Sequence, residues 1–421
     1  MAVSAKTNKR ATVKDLNSID CQVLSSLYTH RCLDNNLLDR HCFRENGSRA
    51  YRMRKLSEFG LVKKENYCAR HYYFLTTKGV NLARSILGVS GDREPTASQL
   101  RINERVVSHQ LLLNKFVLAF QEKAAKAGFS DYEYFDELRQ SQYSWIRPDG
   151  IISLPDCDIF LEIDTGAERV RQLNEKWLAY EQFLSTEEFH NAKKPIQVLV
   201  VSYGGSGSKR RVSTIMKTLS SQLIPVLRSG LNIYVGSHEE MLKKLTTRFV
   251  FPGRFLKYKA GVETRLKRKG YSVTPGNSIS AYLGGENYDY YIKKVDLKES
   301  GHSDEPDFVV DVFGEGPFSD IRKAFQFLKR ETAYHAKTGK HLKYIMVVGD
   351  IDDMYYFLNI AEALEIKEVY YTTTVLLKAA NKELWECLHG YRNAGFVTKY
   401  TDKELLNSCY YRNVIEKGWE I

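Results

Sequence analysis

The sequence predicts a mixed α/β fold, built from an N-terminal helix-and-hairpin module and two units in which strands alternate with helices. Three observations carry that reading. The first hundred residues hold 17 Lys+Arg against 9 Asp+Glu, in a chain of 421 residues with a net charge of +11, so most of the positive excess sits at one end. The segment 88–96 (GVSGDREPT) is rich in chain breakers and marks a change of module. Finally, a strand-like run with two acidic positions, Asp158 and Glu162, recurs 149 residues later as Asp307 and Asp311. With 43% hydrophobic and 27% charged residues the chain can bury ordinary cores, which excludes global disorder. Its apolar runs fall far short of the ~20 residues that cross a bilayer, and MAVSAKTNKR lacks the apolar stretch of a secretory signal. Seven cysteines without a CxxC pair fit reduced thiols. The expectation is a cytoplasmic protein without membrane contact.

From 13 to 30 the apolar residues Leu16, Ile19, Val23, Leu24 and Leu27 recur at helical spacing, and a second short helix is expected over 33–43. After the turn-forming residues 45–47, a third helix is expected from Ser48 to Phe59, closed by Gly60. Ala50, Met53 and Leu56 share its apolar face. Ser48, Arg49, Tyr51, Arg52, Arg54 and Lys55 supply side chains suited to phosphates and base edges. The stretches 61–67 and 70–76 read as a β-hairpin carrying Lys63, Lys64 and Arg70. Three helices and a basic hairpin describe a winged helix, whose third helix would enter the major groove while the hairpin reaches the backbone. The phrases KLSEFGLVKK and YFLTTKG resemble bacterial winged-helix regulators. His30, Cys32, His41 and Cys42 lie close in sequence, but their spacing matches no common zinc finger.

Beyond the breaker segment the pattern predicts a long helix over 99–127, strands over 132–135, 144–151 and 158–164, a helix over 168–184 and a buried strand over 196–203. Asp149 lies in Arg147-Pro148-Asp149-Gly150 on the second strand, and Glu162 and Asp164 share one face of the third. Carboxylates on adjacent strands can hold a divalent cation that polarises a phosphate and lowers the pKa of attacking water. This order and the PD…E-x-D pattern resemble the core of restriction-endonuclease-like proteins. That resemblance implies Asp149 and Glu162 as metal ligands, for Mg2+, and a lysine where this chain has Asp164. Lys176 on the following helix is the candidate to replace it. An active site of Asp149, Glu162 and Lys176 and a scaffold without hydrolysis both remain open, the second being preferred.

The succession of SHQLLLN, RPDG, FLEIDTG and EKWLAYEQFL behind the basic module resembles the replication-relaxation family of plasmids and mobile elements, over residues 10–205. The resemblance implies a role in plasmid replication or DNA topology. The loop 204–211 (GGSGSKRR) is no phosphate cradle, because no Gly-Lys-Ser/Thr follows at the needed spacing. In the C-terminal half, an opening helix over 255–269 with Glu263, Asp289 on a strand, Asp311, and Lys323 in the place of Lys176 predict a degenerate second copy. Tyr288, Tyr290, Tyr291, Tyr355, Tyr356, Tyr370 and Tyr371 are candidates for base stacking or for core edges, and helices over 378–421 are expected to cover the sheet.

Three domains follow: 1–90, a winged-helix DNA-binding domain; 98–250, a restriction-endonuclease-like domain; and 251–421, its degenerate second copy. The preferred function is sequence-specific binding of double-stranded DNA by a homodimer, together with replication or mobilisation proteins. The alternative is a metal-dependent endonuclease or nickase. A plain regulator with an effector-binding body explains the N-terminus but leaves the carboxylate strands without a role.

Overall fold

The computed structural model describes residues 16–43, 49–68, 70–90, 94–140, 142–203, 211–212, 214–215, 217–219, 231–250, 252–283, 288–295, 306–312, 317–348, 354, 369–378 and 383–390. Two compact units divide the chain, Met1–Phe251 and Pro252–Ile421. Both are mixed α/β.

In the first unit, helix α1 (Ser18–His30) starts at Asn17, whose side chain accepts from the Asp20 N–H at 2.8 Å. That contact satisfies a backbone donor the helix cannot use internally. Val23, Leu24 and Leu27 line its buried face. The expected helix over 33–43 is interrupted at its start. Leu33–Asp34 form a short strand, β1, opposite Tyr73 and Tyr72, and the Asp34 carboxylate then caps α2 (Asn35–Leu38), which runs into a π-turn at Asp39–Phe43. A capping aspartate outweighs helical periodicity there. Helix α3 (Arg49–Glu58) buries Met53 and Leu56, and β2 (Val62–Tyr67) pairs with β3 (Arg70–Leu75) in the antiparallel sheet β1-β3-β2. Helix α4 (Thr77–Leu87) closes the module with Val80 and Ala83 in the same core as α1 and α3.

The helix expected over 99–127 is broken. Thr96 caps α5 (Ala97–Leu100), and a 3-10 turn at Glu104–Val106, capped by Asn103, precedes α6 (Val107–Lys126). Helix α6 serves two cores. Leu118 joins the N-terminal cluster, while Phe116, Val117 and Phe120 pack on the five-stranded sheet. Between them Asn114 is fully buried, its Nδ2 donating to the carbonyls of His30 at 2.9 Å and Cys32 at 2.6 Å. Those carbonyls flank Arg31, a non-glycine residue at φ +67°, where the Cys32 N–H turns back to His30 O at 2.7 Å. A γ-turn of this hand is uncommon and costs backbone energy.

The sheet runs β4 (Glu133–Asp136), β5 (Gly150–Ser153), β6 (Asp158–Asp164), β7 (Ile196–Ser202), β8 (Asn232–Ser237), with the first two pairings antiparallel and the last two parallel. All seven residues of β6 and of β7 are buried, as central strands covered on both faces require. Helices α7 (Val170–Leu184) and α8 (Glu187–His190) connect β6 to β7, and α9 (His238–Leu245) follows β8. Strand β5 starts at Gly150 rather than at 144. The Ser144 and Trp145 N–H groups are taken by the Glu188 carboxylate, Pro148 has no N–H, and the Asp149 carboxylate turns to β6, so 144–149 run as a loop.

In the second unit, α10 (Pro252–Arg268) precedes β9 (Tyr271–Pro275), β10 (Tyr290–Lys294) and β11 (Asp307–Val312). Helix α11 (Pro317–Thr338) then leads to β12 (Leu342–Val348) and β13 (Val369–Thr373), followed by α12 (Thr374–Leu377) and the short β14 (His389–Gly390). From β9 to β13 the pairing senses are antiparallel, antiparallel, parallel, parallel, as from β4 to β8. Tyr288, Tyr291, Tyr370 and Tyr371 are buried, so they belong to core edges and present no stacking platform. Tyr355 and Tyr356, the loop 204–210 and all of 391–421 lie outside the described residues.

Candidate functional site

The basic module offers less free charge than its sequence. Tyr51 is 57% exposed, with the Arg52 and Arg54 guanidinium groups 5.9 and 5.7 Å from its ring centre. Arg54 is exposed and 3.8 Å from Glu58, and Lys55 lies 5.3 Å from the Phe59 ring. Arg52 differs, because its Nη1 binds the fully buried Asp20 carboxylate at 3.2 Å. Arg49 holds Asp39 and the Asn35 carbonyl at the end of β1–α2. Both therefore brace α3 against the module. On the hairpin Lys63 pairs with Glu65 at 3.2 Å, whereas Lys64 in mid-strand and Arg70 beside the tip are exposed, and Cys68 at the tip takes φ +46°. Ser48 lies outside the described residues. His30 and Cys32 are core residues.

Asp149, Glu162 and Lys176 converge. Strand β6 carries Glu162, 4% exposed, at its centre, and Lys176 on α7 reaches it with Nζ 3.0 Å from Oε2. The other oxygen, Oε1, accepts from the Tyr180 hydroxyl at 2.6 Å. Asp149 Oδ2 accepts from the Ile163 N–H at 2.6 Å and lies 3.1 Å from His109 Nε2, which is also 3.1 Å from the Ile163 carbonyl. Two acceptors at Nε2 place a proton on that nitrogen. Burial works against an imidazolium at His109, but the hydrogen bond and charge of Asp149 outweigh it and raise its pKa above the ordinary histidine value. Burial likewise opposes the Lys176 charge, and the carboxylates of Glu162, Asp149 and Glu168 reverse that and hold the ammonium charged. Asp164 has partners of its own. Arg211 grips it with two bonds of 2.9 and 2.6 Å, and Ser202 donates at 3.0 Å.

His109, Tyr180 and Arg211 escaped the sequence reading. His109 stands in the SHQLLLN phrase and Tyr180 in EKWLAYEQFL, but nothing local couples either to a carboxylate.

The second unit repeats the arrangement with other residues. Lys323 Nζ lies 3.0 Å from Asp311 Oδ2, which also accepts from the Tyr344 hydroxyl at 2.7 Å. The Val312 N–H donates to Asp289 Oδ2 at 2.8 Å, and Lys259 on α10 pairs with Asp289 Oδ1. Burial and the neighbouring Asp311 charge push the Asp289 carboxyl upward. Glu263, expected at the cluster, instead pairs with Lys267 one turn along α10. Lys259, one turn earlier on the same helix face, is the residue that reaches Asp289.

These residues do not fit a Mg2+ site. Magnesium demands near-octahedral oxygen ligands at about 2.0–2.1 Å. Both Glu162 oxygens and Asp149 Oδ2 already accept from protein donors. Among the described residues no group of three His, Cys, Asp or Glu is placed to hold a metal. Nor, among them, is any helix long and apolar enough to cross a membrane.

Compared with known proteins, residues 24–199 match the replication-relaxation family, a span from within α1 into β7. No curated protein and no solved structure matches the chain.

Proposed function

Taking residues 24–199 as a replication-relaxation segment, we propose that the protein binds a specific site on double-stranded DNA of a plasmid or mobile element, and acts there in replication or relaxation. In this reading residues 1–90 are a winged helix. Helix α3 enters the major groove through Tyr51, Arg54 and Lys55, and Lys64 and Arg70 of the hairpin contact backbone phosphates. The observation that carries the reading is the exposed aromatic-cationic face of α3, braced from behind by Arg49 and Arg52 and flanked by a basic hairpin. The protein acts as a homodimer on a two-fold site, alongside replication or mobilisation proteins. The nuclease-like α/β unit is a scaffold for assembly on DNA, because its carboxylates are neutralised from within.

Gel-shift titration at fixed salt tests the interface. The pair Tyr51→Ala/Arg54→Ala should weaken specific duplex binding at least about tenfold with an unchanged melting temperature. Lys64→Ala/Arg70→Ala should weaken all sequences alike and flatten the salt dependence. Undiminished affinity in the first pair sinks the reading, and a wild-type affinity indifferent to salt points to a protein partner instead.

The second reading, a metal-dependent endonuclease, has the convergence of Asp149, Glu162 and Lys176 on its side and the occupied carboxylate oxygens against it. It predicts nicking of supercoiled DNA with Mg2+ or Mn2+ that Glu162→Ala abolishes in a folded protein.

A further inference from the structure

The two carboxylate clusters follow one design written in different residues. In each, an aspartate ahead of the central strand accepts the N–H of the residue after that strand's acid, Ile163 in one and Val312 in the other. In each, a base from the opening helix sits on that aspartate: His109 on Asp149, Lys259 on Asp289. A lysine from the next helix and a tyrosine hydroxyl then take the strand acid. The tyrosine comes from helix α7 in the first unit and from strand β12 in the second, yet makes the same bond. The His109 N–H lies 3.1 Å from two oxygens at once, Asp149 Oδ2 and the Ile163 carbonyl. Oxygens converging on one positive centre, beside a second buried carboxylate, are the ligand chemistry of a hard divalent cation. Two acids so placed repel unless a positive charge lies between them.

We infer that in both clusters the chain's own cations stand in the place of a divalent metal, His109 with Lys176 in the first unit and Lys259 with Lys323 in the second. The native protein then takes no divalent metal at either place, and removing the helical base opens a site. Loss of the imidazole leaves Asp149 Oδ2 and the Ile163 carbonyl facing a gap beside Glu162, and a metal entering it recovers the lost charge. This inference concerns the α/β units and does not depend on DNA binding.

The test is Mn²⁺ titration of the full-length protein, followed by electron paramagnetic resonance and without DNA. Urea denaturation of each variant in parallel confirms that it is folded. Wild type should leave the free Mn²⁺ signal unchanged, while His109→Ala should bind one Mn²⁺ at least about tenfold more tightly. Asp149→Asn added to His109→Ala should abolish the gain. Lys259→Ala reports on the second cluster separately. Mn²⁺ bound by wild type and lost with Asp149→Asn overturns the inference, and so does a folded His109→Ala that gains nothing. A gain in His109→Ala without one in Lys259→Ala refutes it for the second unit. The outcome is separable from the DNA-binding reading, which the Tyr51/Arg54 gel shift alone decides.

Discussion

Arg52 shows how a side chain's chemistry depends on what lies behind it. By residue type and helical position it belongs to the set expected from sequence to face DNA, yet its guanidinium is taken by Asp20, 0% exposed. Arg52→Ala should therefore cost about 1–2 kcal/mol of stability, because the buried carboxylate loses its cation. A urea midpoint equal to wild type would refute the brace. His30 carries the clearest pH signature. Burial, then the charge of His41, lower its pKa from 6.5 to about 3. The folded chain keeps it neutral while the unfolded chain takes up a proton near pH 6.5, so stability falls as pH drops through the window from 6.5 toward 3. The expected slope is up to about 1.4 kcal/mol per pH unit. His30→Phe should remove about one proton from that slope, measured by urea denaturation at pH 7, 5.5 and 4.5; parallel curves for the two proteins would contradict it. At this scale Asp149, Glu162 and Lys176 were legible because motif spacing and helix phase are local. His109, Tyr180 and Arg211 were not, since their partners are brought to them by strand pairing and helix packing.

Elements follow their capping residues more closely than their periodicity. The apolar pattern over 33–43 suits a helix, but Asp34 caps one residue later and Leu33 joins a sheet. Likewise 144–149 looked like strand and is loop, because Glu188 and β6 claim its polar groups. Gly79 marks where α4 packs closest. A Cβ there would lie 2.0 Å from the Leu61 carbonyl oxygen, a backbone atom that cannot swing away. Gly79→Ala should destabilise by about 2 kcal/mol or more, by displacing α4 from the turn that Thr76 ties to Gly60. A variant as stable as wild type in thermal melts would show that the turn yields freely. The two sheets share their pairing senses although only one acidic spacing announced it, since senses follow from the order of strands and crossover helices.

Across the first unit, Asn114 joins the basic module to the α/β sheet. Asn114→Ala strips the donor from two carbonyls around the Arg31 turn, and should lower unfolding free energy by about 2–3 kcal/mol. Protease cleavage near 97–106 should rise with it; a resistant, fully stable variant would mean that the Leu118 packing alone holds the joint. The sequence by itself determined the mixed α/β class, the basic N-terminal module and the repeated acidic strand, because these rest on local spacing and charge. Only the tertiary structure decided that Arg49 and Arg52 are braces, that Asp164 answers to Arg211, and that each acidic pair meets two of the chain's own cations. A buried charge must be matched by whatever group the packing brings within reach, and that is a property of the folded chain rather than of any segment.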